Sequence, residues 1–464
     1  MRRHAQSAAI ALVLAAWFLA NTWRGLLVPF TNDDLMNLYG AWTLPAWKLL
    51  VANLSPFTAV YRPLGSALYR IVYLCAGLHP LPFRVVAYAL MLVNVWLVYR
   101  LAKTLTRSAE IALLAALLWS YHKRLMNIYL NNGTVYDVLC VTFFCLALEL
   151  YISSRERYGG LYGWRIVAFF TLFVLALNSK EMAVTLPAIL FAYELIYHPR
   201  ASSWIRWLLH RRAASIAALI AIVAIYAKTS PQSSFAGVSG YAVHLSAHQF
   251  LVTTRLLIAE LFLLPQDVLT SAQIIVLLVI VWIIAIASRS QALRFAAAFL
   301  TLAPLPVNFL PARGFFTMYL PYLGWAMLVA VALVDIKDRL PVAKRSWATP
   351  ALMLAAAAAV LALQSGDKER GFDQLDAMQI RIGHLTPSLA RIAAEVPRHG
   401  KVLFLDDAFP ADSFAPMWAA QLRFHSADIT VDRAKFATPS SESYDLVLDL
   451  CGEDYCSTSA SRGP

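Results

Sequence analysis

The chain has 464 residues, 60% of them hydrophobic and only 14% charged, where an ordinary soluble domain carries about 25%. A mean hydropathy of +0.60 excludes a soluble globular protein for most of the length, and runs such as 274–287, which do not alternate polar with apolar, exclude a β-barrel. The formal charge of +12 is explained by cytoplasmic loops that collect Lys and Arg, and no basic, aromatic-interleaved patch outside the membrane flanks points to nucleic acid.

A hydrocarbon core of roughly 30 Å needs about 20 apolar residues of helix. Residues 1–30 run basic and then apolar, as a signal peptide does, but the apolar run continues past any cleavage point. They read as an uncleaved first span at 7–29, with the N-terminus cytoplasmic. The first external loop, 30–65, carries the adjacent acids Asp33 and Asp34 in "FTNDDLMNLYGAW", and Trp42, Trp47 and Tyr61 suit short interfacial helices. Residues 64–78 are apolar but too short to span comfortably. Further spans are expected at 83–101, 109–121, 135–152, 166–177, 182–197, 214–228 and 272–287. A ninth ends near 309, and two more cover 316–334 and 348–363. The long loop before residue 270 includes an expected amphipathic helix at 248–264.

The inner loops are basic: Lys103 and Arg107; Arg155, Arg157 and Arg165; Arg200, Arg206, Arg211 and Arg212; Arg289 and Arg294; Lys337, Arg339, Lys344 and Arg345. The expectation is an α-helical polytopic protein of the inner (plasma) membrane with about eleven transmembrane helices in residues 1–364. An odd number of spans leaves the C-terminus extracytoplasmic. Residues 365–464 are richer in charge, Pro and Ser, and "KVLFLDD", "YDLVLDL" and the helical 416–424 predict a small α/β periplasmic domain. It has no GxGxxG or P-loop, so its expected role is a cap or docking piece. Cys75, Cys140 and Cys145 read as small core residues, whereas Cys451 and Cys456 lie in a polar segment where a disulfide is feasible.

Four polar features need a reason, because an ionisable residue at membrane depth is costly. Asp33 and Asp34 could occupy the first turn of a helix capped by Thr31 or Asn32, or act as a general base with an adjacent acid. Asp137, at the start of the fourth span, could be hydrated at the interface or serve a site. Lys180 and Glu181, between two short spans, could form a local ion pair, or the lysine could meet a lipid phosphate. Arg313 and Tyr319, where the ninth span hands over to the tenth, could be an interfacial arginine in an aromatic belt, or bind phosphate through the guanidinium fork. Tyr61 and Arg62 join them on the same predicted side. Acids, cations and tyrosines together suit transfer from a lipid phosphate to a hydroxyl.

The pattern resembles the C-type (GT-C) glycosyltransferase superfamily, polytopic enzymes that use polyprenyl-phosphate sugars. Its protein O-mannosyltransferases and lipid A aminoarabinose transferases are the relatives in mind. "NDDLMNLYGAW" is similar to the acidic pair those enzymes place after the first span. "YRPLGSALYR" is similar to their Pro-containing element, "LNSKEMAVTLP" to their lysine at the fifth-to-sixth junction, and "LPARGFFTMYLPYLG" to their later Arg/Tyr segment. The likeness covers about residues 1–335.

The resemblance implies Asp33 as the base for the acceptor hydroxyl with Asp34 beside it, and Lys180, Arg313, Tyr319 and Arg62 around the donor phosphate. It implies Asp137 as a support or a ligand to a possible divalent cation (Mg or Mn), and inversion at the sugar. Implied partners are a polyprenyl-phosphate sugar donor, membrane lipids, and a lipid, protein or glycan acceptor. The competing readings are a lipid-linked sugar flippase and a non-catalytic glycan-assembly scaffold. Against the flippase stands the lack of a duplicated half with paired broken helices.

Overall fold

The computed structural model describes residues 2–199, 203, 207, 211–235, 237–340, 347–364, 377–392, 396–436 and 444–458. Within them the chain is mainly helical. Helix α1 (Arg2–Thr22) leads through a 3-10 turn (Trp23–Leu27) into three helices of the first loop, α2 (Asn32–Thr43), α3 (Ala46–Leu54) and α4 (Pro63–Ala76). Next come α5 (Pro80–Thr106), α6 (Ala109–Ser120), the short α7 (Met126–Leu130), α8 (Val135–Tyr158), α9 (Trp164–Ser179), α10 (Leu186–Tyr197) and α11 (Arg212–Thr229). They are followed by α12 (Ala247–Leu261), α13 (Ser271–Ala287), α14 (Gln291–Leu302), α15 (Leu305–Asn308), α16 (Tyr322–Arg339) and α17 (Ala348–Gln364).

By length and composition, the runs Gln6–Leu27, Pro80–Thr106, Asn132–Tyr158 and Arg212–Thr229 are long and apolar enough to cross a membrane. Ala109–Ser120, Trp164–Ser179, Ser271–Ala287 and Ala348–Val360 are apolar but shorter. Length therefore does not reproduce the expected eleven spans among the described residues. Proline explains two of the shortfalls, because it lacks the N–H an inner helical turn needs. The expected ninth span stops at Leu302 before Pro304 and resumes as the four-residue α15. The expected sixth begins late, since Glu181–Thr185 form a 3-10 turn and α10 starts at Leu186 with Pro187 in its first turn. Arg200, Arg206, Lys344, Arg345 and the first residues of the expected C-terminal domain, from 365, lie outside the described residues.

Helix α8 runs through the centre of the bundle and is buried on nearly every face, the mark of a helix with no polar stripe to offer solvent. Asn94 ties α5 to it: its Nδ2 donates to the Val138 carbonyl at 2.9 Å, and its Oδ1 accepts from the Thr142 hydroxyl at 2.7 Å. Helices α14 and α16 approach closely at Gly324, where a Cβ would lie 2.6 Å from the Leu300 amide nitrogen. At the end of the bundle where α5, α8, α10 and α16 finish, several basic residues are paired. Arg155 and Arg211 reach the fully buried Glu194 at 3.0 and 2.5 Å, Arg100 reaches Glu149 at 2.6 Å, and Lys337 reaches Glu110 at 2.6 Å.

The C-terminal segment contains α18 (Ala377–Arg391), β1 (Lys401–Phe404), α19 (Ala415–Arg423), β2 (Thr430–Arg433), β3 (Leu446–Cys451) and β4 (Asp454–Thr458). The sheet order is β2-β1-β3-β4; β1 is parallel to both neighbours, with Val402 opposite Val431 and Leu446, and β4 is antiparallel to β3. A Cys451–Cys456 disulfide closes the β3–β4 hairpin. Asp407, just after β1, accepts from Arg433 at 2.5 and 3.0 Å and from Lys435 at 2.8 Å. Although burial would raise it, these partners hold its carboxyl below the ordinary value. The segment rests on the first-loop helices: the Tyr73 hydroxyl donates to the Leu422 carbonyl at 2.6 Å, and Tyr39 packs on Trp418.

Candidate active site

The loop helix α2 begins in a capping box. The Thr31 hydroxyl accepts from the Asp34 amide at 3.0 Å, and the Asp34 carboxylate accepts from the Thr31 amide at 2.8 Å. Asp34 is fully buried, accepts from the Tyr69 hydroxyl at 2.9 Å, and pairs with buried Arg84 at 3.4 Å. Burial pushes its carboxyl up, against the pull of Arg84 and three hydrogen bonds. Asp33, one residue earlier, turns by roughly 100° about the helix and faces a cavity instead. The two acids therefore separate by role: Asp34 builds the helix start, and only Asp33 is presented.

That cavity, of about 350 Å³, is lined by Asp33, Arg62, Asp137, Lys180, Glu181 and Arg313 together with Asn131, Gly133, Tyr61 and Tyr241. Five of the seven residues expected to form the site thus share one hollow. The other two do not reach it. Asp34 is consumed by the cap. Tyr319 points into the core, its ring 4.7 Å from Trp119 and its carbonyl accepting from the Trp119 indole at 3.0 Å. Tyr319 thereby packs against α6, two residues before the Pro321 cap of α16.

Most of the charge in the cavity is already paired. Arg62 sits in left-handed backbone geometry (φ 43°) immediately before Pro63, a strained state for a non-glycine residue, at about 1–3 kcal/mol. Its guanidinium lies against the rings of Tyr61 and Tyr136, and grips Glu181 with two bonds at 3.2 and 2.9 Å. Burial alone would raise Glu181, but Arg62, with Lys228 and Lys180 behind it, holds its carboxyl down at about 2. The Lys180 ammonium pairs with Asp137 and lies over the Phe316 ring. Arg313 is different: it lies over the Tyr241 ring and makes one long bond to the Gly240 carbonyl at 3.4 Å, with no carboxylate partner among the described residues.

Asp33 is the complementary case, a carboxylate with no cation partner among the described residues. Its partner is Asn131, whose Nδ2 donates at 3.2 Å. Asn131 is itself fixed, because its Oδ1 accepts from the Thr31 hydroxyl at 2.9 Å and the Gly133 amide at 2.8 Å. Gly133 is needed there, since a Cβ would lie 2.9 Å from Asp33 Cβ and 2.8 Å from Asn131 Oδ1. Sequence reasoning missed Asn131, Gly133, Arg84 and the Arg62–Glu181 pair; the turn signal in "NNGT" marks a tight turn but not what it holds. A protein-held divalent cation does not fit. Asp137 is ion-paired to Lys180, and among the described residues no group of three His, Cys, Asp or Glu side chains converges.

Residues 60–230 match the sequence model of the family described as dolichyl-phosphate-mannose-protein mannosyltransferase. That stretch includes Arg62, Asp137, Lys180 and Glu181, and leaves out Asp33 and Arg313. No curated protein sequence matches the chain. The archaeal oligosaccharyltransferase AglB from Archaeoglobus fulgidus, solved with an inhibitory peptide and a dolichol-phosphate, is 10% identical with a TM-score of 0.50, over 93% of this chain and 65% of AglB. ArnT from Cupriavidus metallidurans, solved with undecaprenyl phosphate, is 13% identical with a TM-score of 0.48, over 96% of this chain and 92% of ArnT. The chain thus resembles that mannosyltransferase family over residues 60–230, and its fold is similar to that of AglB.

Proposed function

We propose that this protein transfers a sugar from a polyprenyl-phosphate donor to an acceptor hydroxyl at the outer face of the cell membrane. The observation that supports it is the pairing pattern of the cavity. Among the described residues, Asp33 is the lining carboxylate left without a cation and Arg313 the lining cation left without a carboxylate, and both line the same hollow. A free carboxylate can take a proton, and a free guanidinium can hold a phosphate through its fork.

In the reaction, the Asp33 carboxylate accepts the acceptor hydroxyl's proton as its oxygen bonds to the anomeric carbon. The bond from that carbon to the phosphate oxygen breaks, and polyprenyl phosphate leaves with the electron pair. One displacement inverts the anomeric centre. Arg313 meets the charge that grows on the leaving phosphate without giving up a partner, and such placed charge is worth most where water is excluded. Lys180 and Arg62 are also in reach of the cavity, but each must share itself with Asp137 or Glu181. Tyr319 and Asp34 take no part in contacting substrate. An apolar groove of about 740 Å³, lined by Met36, Trp47, Val51 and Val238, adjoins the cavity at Asn37 and Tyr241 and suits the hydrocarbon of a lipid-linked substrate.

The test is Asp33→Asn in membranes supplied with polyprenyl-phosphate sugars, with mass spectrometry of outer-surface glycans. Product formation should fall about 10²–10⁴-fold, the usual worth of a general base, while the purified variant melts like the parent. Full activity in the variant would remove the base and with it this reading.

A further inference from the structure

One side chain of the C-terminal segment bridges the two stretches of chain beside the cavity. Gln379, on α18, is buried, and its Nε2 donates to the Pro29 carbonyl and to the Leu130 carbonyl, both at 3.3 Å. Those two carbonyls belong to the two chain segments that present Asp33. Pro29 lies two residues before the Thr31 cap of α2, and Leu130 immediately precedes Asn131, which holds the Asp33 carboxylate. The Thr31–Asn131 bond already joins the segments through side chains. Gln379 joins them a second time, backbone to backbone, from a part of the chain about 250 residues away in sequence.

The surroundings keep that amide in place. Gly383, one turn further along α18, faces Pro29 so closely that a Cβ would lie 2.7 Å from its ring. Arg84 donates to the same Pro29 carbonyl at 2.7 Å and reaches Asp34, so the carbonyl is held from two sides. Helix α19 meanwhile braces α2 and α4 through Trp418 and the Tyr73–Leu422 bond.

We infer that Gln379 is a positioning residue for Asp33: the C-terminal segment clamps the start of α2 to the Asn131 turn, fixing where the carboxylate sits. The kinetic part of this inference rests on the sugar-transfer reading above; the clamp itself does not. Placement of a reacting group matters steeply, and an error of about 1 Å can cost 10²-fold. The clamp should therefore act on turnover and leave the donor's own contacts alone.

The experiment uses the full chain carrying Gln379→Met, which keeps the side chain's length and removes both donors. Amide hydrogen exchange should rise in segments 30–35 and 127–134 and stay unchanged in the strands 401–404 and 446–451. With a polyprenyl-phosphate sugar as the probe donor, kcat should fall about tenfold while the donor KM stays within about twofold. Gln379→Glu, which sets a carboxylate against two carbonyls, should open the same segments further and recover partly as the pH is lowered and the group gains a proton. Unchanged exchange at 30–35 and 127–134 would overturn the clamp, and raised exchange there with unaltered kcat would overturn the positioning role of Gln379. Raised exchange across the C-terminal strands would reduce Gln379 to a structural residue. If Asp33→Asn keeps full kcat, the base assignment fails, and the exchange measurement then decides the clamp by itself.

Discussion

Neighbouring residues of the same type do different work here. Asp33 and Asp34 are identical in chemistry and adjacent in sequence, yet one helical step separates a carboxylate presented to the cavity from a buried cap. Gly133 shows how little room the arrangement leaves. Its replacement by Ala would place a methyl group within 3 Å of both Asp33 Cβ and Asn131 Oδ1, so one of them must shift. We expect Gly133→Ala to lower kcat by about 10–100-fold while costing only about 1–3 kcal/mol of stability, read as steady-state kinetics beside a melting curve. Unaltered kcat would show that the Asp33–Asn131 geometry is not demanded by the reaction.

The element that decides the electrostatics is the 3-10 turn between α9 and α10, which carries Glu181 to Arg62. Glu181 titrates at about 2 in the folded chain against its ordinary 4.5, so the unfolded chain takes up the proton first as the pH falls. The contribution of the pair is then whole above about pH 4.5 and is lost toward pH 2. Removing the acid leaves Arg62 buried and unpaired, a defect of roughly 3–5 kcal/mol. The gap in stability between the parent and Glu181→Gln should accordingly be widest above pH 4.5 and close as the pH approaches 2. A gap that is constant with pH would mean that the pair is not ionised as drawn.

At the scale of the whole molecule, the helical class and the nearness of distant polar residues were legible in the sequence. Period and composition report burial directly, and the functional types Asp33, Asp137, Lys180 and Arg313 all stood at the ends of apolar runs. What was not legible followed from pairing across the fold. No local pattern shows that Arg62 is taken by Glu181 or that Tyr319 turns toward Trp119. Helix lengths departed from the expected spans where prolines at 187 and 304 interrupt the apolar runs. The strands at 401–404 and 446–451 were readable from their apolar runs, whereas the docking of their segment on the first loop depended on Tyr73 and Gln379, whose partners lie hundreds of residues away. Orientation follows from the proposal that the cavity opens outward. In a Cys75→Ser background, a membrane-impermeant thiol reagent added to intact cells should label Ala242→Cys and spare Arg157→Cys. The reverse pattern would turn the molecule over.

The even balance of charge in the cavity has a consequence for turnover. Asp33, Asp137 and Glu181 stand against Arg62, Lys180 and Arg313, so the formal charges of the lining balance, and the proposed donor, a phosphodiester, would bring one negative charge. The proposed transfer would leave a monoester that can carry two, at the same moment that Asp33 takes the acceptor's proton. On the proposed reaction, the spent lipid would then sit in a hollow with one surplus positive charge until that proton passes on, so that release of the proton and departure of the carrier would be linked events.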